Sequence, residues 1–323
     1  MKILVYSFND KIGDGLQKVT FIQKLKEIYP QSHLTYSTTN TTTLKDTLSP
    51  LVKFYIDEFI EHNQIESSFF DLFKKKNKFL GKEFDLIIDL QKVVLRTLNL
   101  KKVPHKSFFS TCTNFIFSDY KNDKDLLFKG IYIERFYFNI LSLIANNYFE
   151  KIPNIKIPKN KLSENIINTD KDTNIAIAPG AGNRIRQWDF QKYLEIAKDL
   201  RGKGFNIYFF LGPQEQEYLN LCLENNFLCP EWKDGKMISN NITFTMKLAE
   251  KMKCLLCNDG GTAWMFEFAG VKTLKIFGVT DEKKFSRPGY CQTIQVNDYG
   301  IKEIKDFPVE EYKKNLDKFF ETI

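Results

Sequence analysis

The chain is 323 residues long, with 43% hydrophobic residues, 27% charged residues and a formal net charge of +7. This composition supports ordinary globular cores and excludes disorder throughout, and at roughly 150 residues per domain the length indicates two domains. No apolar run reaches the roughly 18 residues that a membrane-spanning helix requires, because the best candidate, residues 131–149, contains Glu134, Arg135 and Asn139. The opening KILVYSF is too short for a signal-peptide core, so we interpret it as a buried strand and expect a cytoplasmic protein.

The excess of positive charge is modest, with 47 Lys and Arg residues against 40 Asp and Glu residues. Such an excess suits anionic substrates or a membrane surface and falls short of a dedicated nucleic-acid-binding protein, so we expect no nucleic acid partner. Five lysines are clustered, at Lys74, Lys75, Lys76, Lys78 and Lys82. Two interpretations stay open: the cluster contacts anionic lipid, or it is a solvated helix face.

Six cysteines in a chain of 323 residues do not make a disulfide scaffold, and we expect them to be reduced. Cys254 and Cys257 form a C-x-x-C pattern, but the segment CLLC is typical of a buried strand, whereas a redox pair lies at a helix N-terminus. His33, His62 and His105 have no metal-ligand spacing to one another, so a catalytic zinc site is not expected.

Strand-like and helix-like segments alternate along the chain, which predicts an α/β protein with parallel sheets and crossover helices. In the first half we predict strands over residues 2–8, 33–37 and 84–90 and a helix over residues 16–29. The polar, proline-containing stretch of residues 150–173 is interpreted as an interdomain linker.

The second half repeats the alternation, which predicts a second doubly wound sheet. The predicted strands are residues 174–178, 206–211, 254–257 and 273–277, and the predicted helices are residues 190–201, 215–224, 243–252 and 262–269. We therefore divide the chain into an N-terminal domain, a C-terminal domain and a C-terminal segment (residues 1–155, 156–308 and 309–323). Within the last segment, residues 309–320 are predicted to form an amphipathic helix that crosses back onto the first domain. Two such sheets facing each other leave a central cleft at the carboxyl ends of their strands.

The loop NDKIGDG follows the first predicted strand. Gly13 and Gly15 allow a tight turn, and Asp14 lies where the next helix begins. Two roles stay open for Asp14, an ordinary N-cap or a catalytic carboxylate.

The segment APGAGNRIRQWDF begins at Ala178, at the end of a predicted strand. The small residues Gly180 and Ala181 let the backbone approach a phosphate, and Arg184 and Arg186 can neutralise its charge. The alternative is a simple turn with solvated arginines.

The segment CNDGGTAW places Gly260, Gly261 and Thr262 at the start of a helix, where free amides and the helix dipole favour an anion. Asp259 either caps this helix or accepts hydrogen bonds from sugar hydroxyls. Glu215, just beyond another predicted strand end, is a candidate for binding a ribose hydroxyl.

Taken together, these motifs resemble the heptosyltransferases of lipopolysaccharide core synthesis, glycosyltransferase family nine. The resemblance rests on the order of GD, FDLIIDLQ, APGAG, RQW, FLGPQE, NDGG and FGVTD, and it spans nearly the whole chain. It implies a GT-B-like architecture of two Rossmann-like domains, with the sugar nucleotide held mainly by the second and the acceptor by the first. The implied reaction is inverting transfer of heptose or a related sugar to a lipopolysaccharide-core or other surface-glycan acceptor.

The resemblance also implies the partners and their location. The donor is a nucleotide-diphosphate sugar, linked to ADP in the family, and neither a cofactor nor a metal is expected. The acceptor is a glycolipid or a glycan, so a cytoplasmic protein with peripheral contact at the cytoplasmic face of the inner membrane is expected.

Carried over by motif, the resemblance makes Asp14 the general base and places Gly13 and Gly15 beside the acceptor. Arg186 falls where the family usually has a basic residue that contacts the diphosphate, and Asp259 matches the acid of the NDGG segment.

Gly260, Gly261 and Thr262 match the turn that binds the phosphates. Two positions depart from the family pattern: Trp264 stands where histidine is common, and Val279 replaces a proline. Trp264 either lines the donor pocket, which would alter the preferred sugar, or packs inward against the sheet.

Other functions fit the sequence less well. A metal-dependent transferase uses D-x-D, and this chain has such pairs at residues 123–125 and 170–172, but both lie in polar, lysine-containing stretches. A dinucleotide-dependent oxidoreductase is disfavoured because NDKIGDG lacks the full G-x-G-x-x-G pattern. A catalytically inactive sugar-nucleotide-binding module stays open, with Trp264 as the residue that favours it.

Overall fold

The chain divides into two compact units, Met1–Pro153 and Asn154–Ile323, in a computed structural model that describes residues 1–68, 79 and 81–323. The observed boundary falls at residues 153 and 154, against 155 and 156 in the predicted division. Four members of the lysine cluster, Lys74, Lys75, Lys76 and Lys78, lie outside the described residues, so the open question about this cluster stays open.

The first unit contains a parallel five-stranded sheet. Its strands, in chain order, are β1 (Lys2–Ser7), β2 (His33–Thr38), β3 (Glu58–Ile60), β4 (Phe84–Asp89) and β5 (His105–Ser110), and their spatial order is β3-β2-β1-β4-β5. Its helices are α1 (Ile12–Ile28), α2 (Ser49–Val52), α3 (Val94–Leu100) and α4 (Ile133–Ala145). The strand order reverses direction between β1 and β4, and this switch point is where open α/β sheets bind ligands.

The second unit contains another parallel sheet of five strands. These are β6 (Asn174–Ala178), β7 (Asn206–Phe209), β10 (Cys254–Asn258), β11 (Lys272–Phe277) and β12 (Cys291–Gln295), in the spatial order β12-β11-β10-β6-β7. A short antiparallel pair, β8 (Trp232–Lys233) and β9 (Lys236–Met237), stands apart from the sheet. The helices are α5 (Phe190–Gly202), α6 (Leu219–Glu224), α7 (Ile242–Ala249), α8 (Gly261–Phe268), α9 (Glu282–Phe285) and α10 (Val309–Phe320). Here the switch point lies between β6 and β10.

The second sheet is covered on both faces, which explains why its central strands are apolar at nearly every position. Alternate side chains of β6 point to opposite faces: Ile175 and Ile177 pack with helices α5 and α10, and Ala176 and Ala178 pack with α7 and α8. The C-x-x-C pattern belongs to the buried strand β10, as predicted, with Cys254 in one core and Cys257 in the other. Burial raises the pKa of Cys254 to about 12, so this thiol is neutral.

The C-terminal helix α10 has the predicted bounds but packs on the second unit, which corrects the expectation that it returns to the first domain. Its apolar side chains Tyr312, Leu316 and Phe319 are buried in the core that contains α5. Tyr312 stacks on Trp188 with ring centroids 4.4 Å apart. The helix therefore completes the second sheet's outer layer.

Several elements differ from those predicted. Helix α1 begins at Ile12, four residues before the predicted start, so Gly13, Asp14 and Gly15 form its first turn and the predicted tight turn is wrong. Strands β5 and β12 were not predicted, because as edge strands they carry polar residues at many positions.

Residues 131–149, the most apolar stretch of the sequence, contain α4, which is 13 residues long. In the parts of the chain that the structure describes, no helix is both long enough and apolar enough to cross a bilayer.

Candidate functional site

The carboxyl ends of β6 and β10 bring two of the predicted loops into contact at the switch point of the second sheet. A Cβ atom on Gly260 would lie 3.1 Å from the carbonyl oxygen of Gly180 and 3.5 Å from the Cα of Ala181. A side chain at position 260 would crowd the neighbouring loop, so glycine favours this close approach. Gly180, Ala181 and Gly260, predicted separately, therefore lie together.

Asn258 joins these loops through its side-chain amide. Its Nδ2 donates to the carbonyl oxygen of Pro179 at 2.5 Å, and its Oδ1 accepts from the backbone N–H of Trp188 at 3.0 Å and from the hydroxyl of Tyr193 at 3.1 Å. Asn258 is not among the predicted site residues, although a polar residue at the end of an apolar strand indicates a hydrogen bond to a neighbouring loop.

Asp259 lies beside Arg186, whose Nη1 is 3.5 Å from its Oδ2. The cap of α8 is Gly260, without a side-chain hydrogen bond, so the interpretation of Asp259 as a helix cap is wrong. The Asp259 side chain is 7% exposed and that of Arg186 is 45% exposed. The carboxylate thus holds a guanidinium that still presents donors to solvent.

Helix α8 points its N-terminus at the same switch point. The amides of its first turn, at Gly261, Thr262 and Ala263, have no intrahelical acceptors, and the helix dipole adds partial positive charge. Gly261 and Thr262 are half-buried. These amides and the neighbouring Arg186 form a site suited to an anion such as phosphate.

Glu215 reaches this site from the segment after β7. Its carboxyl packs against Gly180, where a Cβ atom would collide with it, and one of its oxygens lies 2.7 Å from the position of a Cβ on Gly212. Burial raises the pKa of Glu215, although hydrogen bonds from the backbone N–H groups of Gly212 and of Glu215 itself lower it. The carboxyl can accept a hydrogen bond from a ligand hydroxyl.

A second buried carboxyl, Glu231, lies near Glu215 and was missed by the sequence analysis. It accepts a hydrogen bond from the hydroxyl of Thr245. Burial raises the pKa of Glu231 to about 7, although the hydrogen bond from Thr245 lowers it. The negative charge of Glu215 adds to the rise. Nothing in the sequence around Glu231 marks it as buried.

Trp264 does not lie with the residues of the anion site. Its side chain is 3% exposed and stacks on Phe268, with Lys275 Nζ 4.7 Å from a ring centroid of the indole. Lys275 is itself fully buried and pairs with Glu267 at 2.8 Å. Of the two predicted alternatives, the structure shows inward packing, and the placement of Trp264 among donor-binding residues is corrected accordingly.

Asp14 lies in the first turn of α1, after the switch-point strand β1 of the first sheet. The N-cap is Lys11, without a side-chain hydrogen bond, so the interpretation of Asp14 as an N-cap is wrong. Asp14 is exposed and Gly13 is half-buried. A Cβ atom on Gly15 would lie 2.8 Å from Thr43 Oγ1, so this glycine serves close packing.

A buried ion pair that the sequence did not reveal joins Asp10, just before α1, to Lys18 within this helix. Asp10 accepts hydrogen bonds from Lys18 Nζ, from Ser7 Oγ at 2.9 Å, from the Tyr36 hydroxyl at 2.8 Å and from Thr42 Oγ1 at 2.9 Å. Burial opposes its ionisation, but Lys18 and the hydroxyl donors outweigh this and hold the pKa of Asp10 below its usual value. The pair fixes the start of α1 to the end of β1.

A match between the sequence and a protein-family model defines the class of protein to which this fold and site belong. The model of glycosyltransferase family 9 (heptosyltransferase) matches residues 73–315. The chain therefore belongs to this family, and the protein is a glycosyltransferase. A comparison with curated protein sequences gave no match.

Solved structures show the same fold. The chain is similar to the glycosyl transferase family 9 structure from Veillonella parvula DSM 2008, with a TM-score of 0.70 and 17% identity over 100% of this chain and 98% of that one. It is also similar to E. coli ADP-heptose lps heptosyltransferase II, with a TM-score of 0.63 and 16% identity over 99% and 98% of the two chains. For E. coli heptosyltransferase WaaC with ADP the TM-score is 0.67 and the identity 12%, over 99% and 100%. The predicted α/β class, GT-B-like with two Rossmann-like domains, is confirmed.

Proposed function

We propose that this glycosyltransferase transfers heptose or a related sugar, with inversion and without a metal, from an ADP-linked donor to a lipopolysaccharide-core or other surface-glycan acceptor. The observation that carries the proposal is the meeting of Arg186, Glu215 and the N-terminus of α8 at one switch point. A cytoplasmic location, with peripheral contact at the inner membrane, belongs to the same proposal.

The donor half of the mechanism uses the second unit. The Arg186 guanidinium and the free amides of α8 bind the diphosphate and stabilise the negative charge that grows as the sugar leaves. Glu215 accepts a hydrogen bond from a ribose hydroxyl. One E. coli relative was solved with ADP and also with ADP-2-deoxy-2-fluoro heptose, which supports an ADP-linked donor here.

The acceptor half uses Asp14 as general base. As the acceptor oxygen attacks the anomeric carbon, its proton passes to the Asp14 carboxylate. The bond between the anomeric carbon and the diphosphate oxygen breaks, and its electron pair leaves with the nucleoside diphosphate. A single displacement of this kind inverts the anomeric centre. The exposure of Asp14 supports the role because the carboxylate is open to a large acceptor.

The function is tested by incubating the protein with ADP-heptose and a panel of lipopolysaccharide-core acceptors, and measuring ADP release and the product's anomeric configuration. We expect ADP release that depends on the acceptor, with an inverted product. Donor binding without turnover on any acceptor would instead favour an inactive sugar-nucleotide-binding module. Binding is measured separately by thermal shift, since a ligand at 100 times its dissociation constant adds about 2.7 kcal/mol of stability.

Removing Arg186 should weaken donor binding. We expect Arg186→Ala to lower the affinity for ADP by at least about tenfold, because it removes charge-assisted hydrogen bonds to phosphate. Isothermal titration measures the effect. Arg184→Ala is the matched control, because this arginine is 86% exposed and lies 3.5 Å from Glu217. Equal ADP affinity of both variants and the wild type would show that Arg186 is only surface charge.

We expect activity to survive chelation. The D-x-D pairs are used in local turns: Asp123 Oδ1 accepts from the backbone N–H of Asp125 at 2.9 Å, and Asp170 Oδ1 accepts from that of Asp172 at 3.1 Å. In the proposed mechanism, Arg186 and the α8 amides stabilise the charge of the diphosphate without a metal. Turnover in excess EDTA, compared with turnover after adding magnesium or manganese, checks this expectation. Loss of activity that either metal restores would contradict it.

A further inference from the structure

A carboxyl group that the proposed mechanism does not use is buried close to the donor site. Glu231 is 5% exposed and directly precedes the hairpin formed by β8 and β9. Its Oε1 accepts a hydrogen bond from the hydroxyl of Thr245 in α7, whereas its Oε2 has no hydrogen-bond partner among the residues that the structure describes. Oε2 does not belong to the unpartnered polar atoms that are sealed from solvent, so a ligand can reach it.

The hairpin holds Glu231 at one edge of the second sheet. Nε1 of Trp232 donates to the carbonyl oxygen of Leu211 at 2.7 Å, just beyond the end of β7. The backbone N–H of Ile238 donates to the carbonyl oxygen of Glu231 at 2.8 Å. Glu231 also lies near Glu215, whose negative charge acts on its pKa. The carboxyl is therefore fixed beside the segment that carries Glu215.

The order of the strands gives a bound nucleotide its direction across this edge. The anion site lies at β6 and β10, where α8 begins. Glu215, proposed above to bind the ribose, comes from the segment after β7 and packs against Gly180, which follows β6. Strand β7 is the outermost strand on this side of the sheet. A nucleotide that extends from the anion site past Glu215 therefore brings its base towards β7 and the hairpin.

The chemistry of the Glu231 carboxyl matches one edge of adenine. Adenine presents its N6 amino group as a donor and N1 as an acceptor side by side. A protonated carboxyl likewise has one donor and one acceptor. Burial raises the pKa of Glu231 to about 7 despite the opposing hydrogen bond from Thr245, so the protonated form is well populated near neutral pH. Because Thr245 donates to Oε1, the proton is left to Oε2.

We propose that Glu231 recognises the nucleobase of the donor, with its protonated carboxyl donating to N1 of adenine and accepting from the N6 amino group. The inference rests on the proposed function in taking an ADP-linked donor whose ribose lies at Glu215. The half-buried side chains of Trp232, Met237 and Ile238 offer apolar surface to the faces of the base. Glu231 is thus a specificity-determining residue of the donor site.

The experiment compares ADP with an analogue that lacks the recognised amino group. Affinities for ADP and for purine riboside 5′-diphosphate, which has hydrogen in place of that group, are measured by isothermal titration at slightly acidic pH on the wild type and on Glu231→Met. We expect the wild type to prefer ADP by at least about fivefold, because the analogue leaves a buried acceptor unpaired. Glu231→Met should bind the two ligands equally.

Two further variants separate the hydrogen bonds from the packing of the side chain. Glu231→Gln keeps one donor and one acceptor, so it should retain the preference for ADP. Glu231→Asp keeps the carboxyl but withdraws it by a methylene group, so it should lose most of the preference, and it serves as the test if Glu231→Met does not fold. The matched control is Glu217→Gln, since Glu217 is 54% exposed and pairs with Arg184, and its loss should leave both affinities unchanged.

A third ligand distinguishes the base from the ribose. Glu231→Met should weaken 2′-deoxy-ADP by the same factor as ADP, because the two ligands carry the same base. A loss that disappears with 2′-deoxy-ADP would place Glu231 at the ribose and overturn the proposal.

Equal binding of ADP and purine riboside 5′-diphosphate to the wild type also overturns the proposal, as does an unchanged preference in a folded Glu231→Met or Glu231→Asp. The proposed function fails differently, through absence of transfer from ADP-heptose. A protein that prefers ADP through Glu231 but transfers no sugar would refute the function and retain the recognition of the base.

Discussion

Asp14→Asn is expected to lower sugar transfer by at least a hundredfold and to leave ADP affinity unchanged. General-base catalysis contributes about a hundred- to ten-thousand-fold, and an amide cannot take the acceptor's proton. Asp14 lies in the first unit, whereas Arg186, Glu215 and α8 belong to the second, so in the proposed mechanism other residues bind the donor. Initial rates at saturating donor and acceptor measure the loss, and titration calorimetry measures ADP affinity.

The matched control for Asp14→Asn is Glu27→Gln. Glu27 is an exposed acid at the other end of α1, where it pairs with Lys24 at 3.1 Å. Its loss should leave turnover within about twofold, because exposed pairs contribute little. If Asp14→Asn retains turnover while Glu27→Gln behaves as expected, the base is another group.

Lys18→Met is expected to lower the free energy of unfolding by about 3–5 kcal/mol, because it leaves the Asp10 carboxylate buried without its counter-charge. The side chains of Lys18 and Asp10 are 6% and 0% exposed. Urea unfolding followed by circular dichroism measures the effect. The control is Lys24→Met on the same helix, whose side chain is 28% exposed, and its effect should stay below about 1 kcal/mol.

The double variant Asp10→Asn with Lys18→Met should be more stable than Lys18→Met alone, since no unpaired charge remains. The pH dependence has a defined sign. The pKa of Asp10 is lowered in the folded protein, so the stability from ionised Asp10 is present above the unfolded value of about 3.9 and is lost as the pH falls towards the folded value. A Lys18→Met protein as stable as the wild type would show that the pair contributes nothing net.

The parts of the fold that the sequence predicted well are those with strong local signals. Strand β6 and helix α10 have the predicted bounds, Asn174–Ala178 and Val309–Phe320, because each has a clear apolar pattern with a defined start. The proximity of Gly180, Ala181 and Gly260 was also predictable, since loops that follow parallel strands meet at one edge of a sheet. That geometry explains why Gly180 and Gly260 are in contact although they are far apart in the chain.

What could not be predicted depends on tertiary contacts. The sequence shows Lys18 as one more polar residue of a helix, and only the fold brings it to Asp10. The inward direction of Trp264 depends on which side of α8 faces the sheet. The docking of α10 depends on the stacking of Tyr312 on Trp188, two residues that no local pattern connects.

The division of the chain at a single point, between Pro153 and Asn154, has an evolutionary consequence. Because α10 stays with the second unit, each unit is one uninterrupted stretch of the gene. Recombination at this junction would replace one half without cutting through either sheet. With the substrates divided between the units as proposed, one such exchange would change the acceptor and keep the donor, or the reverse.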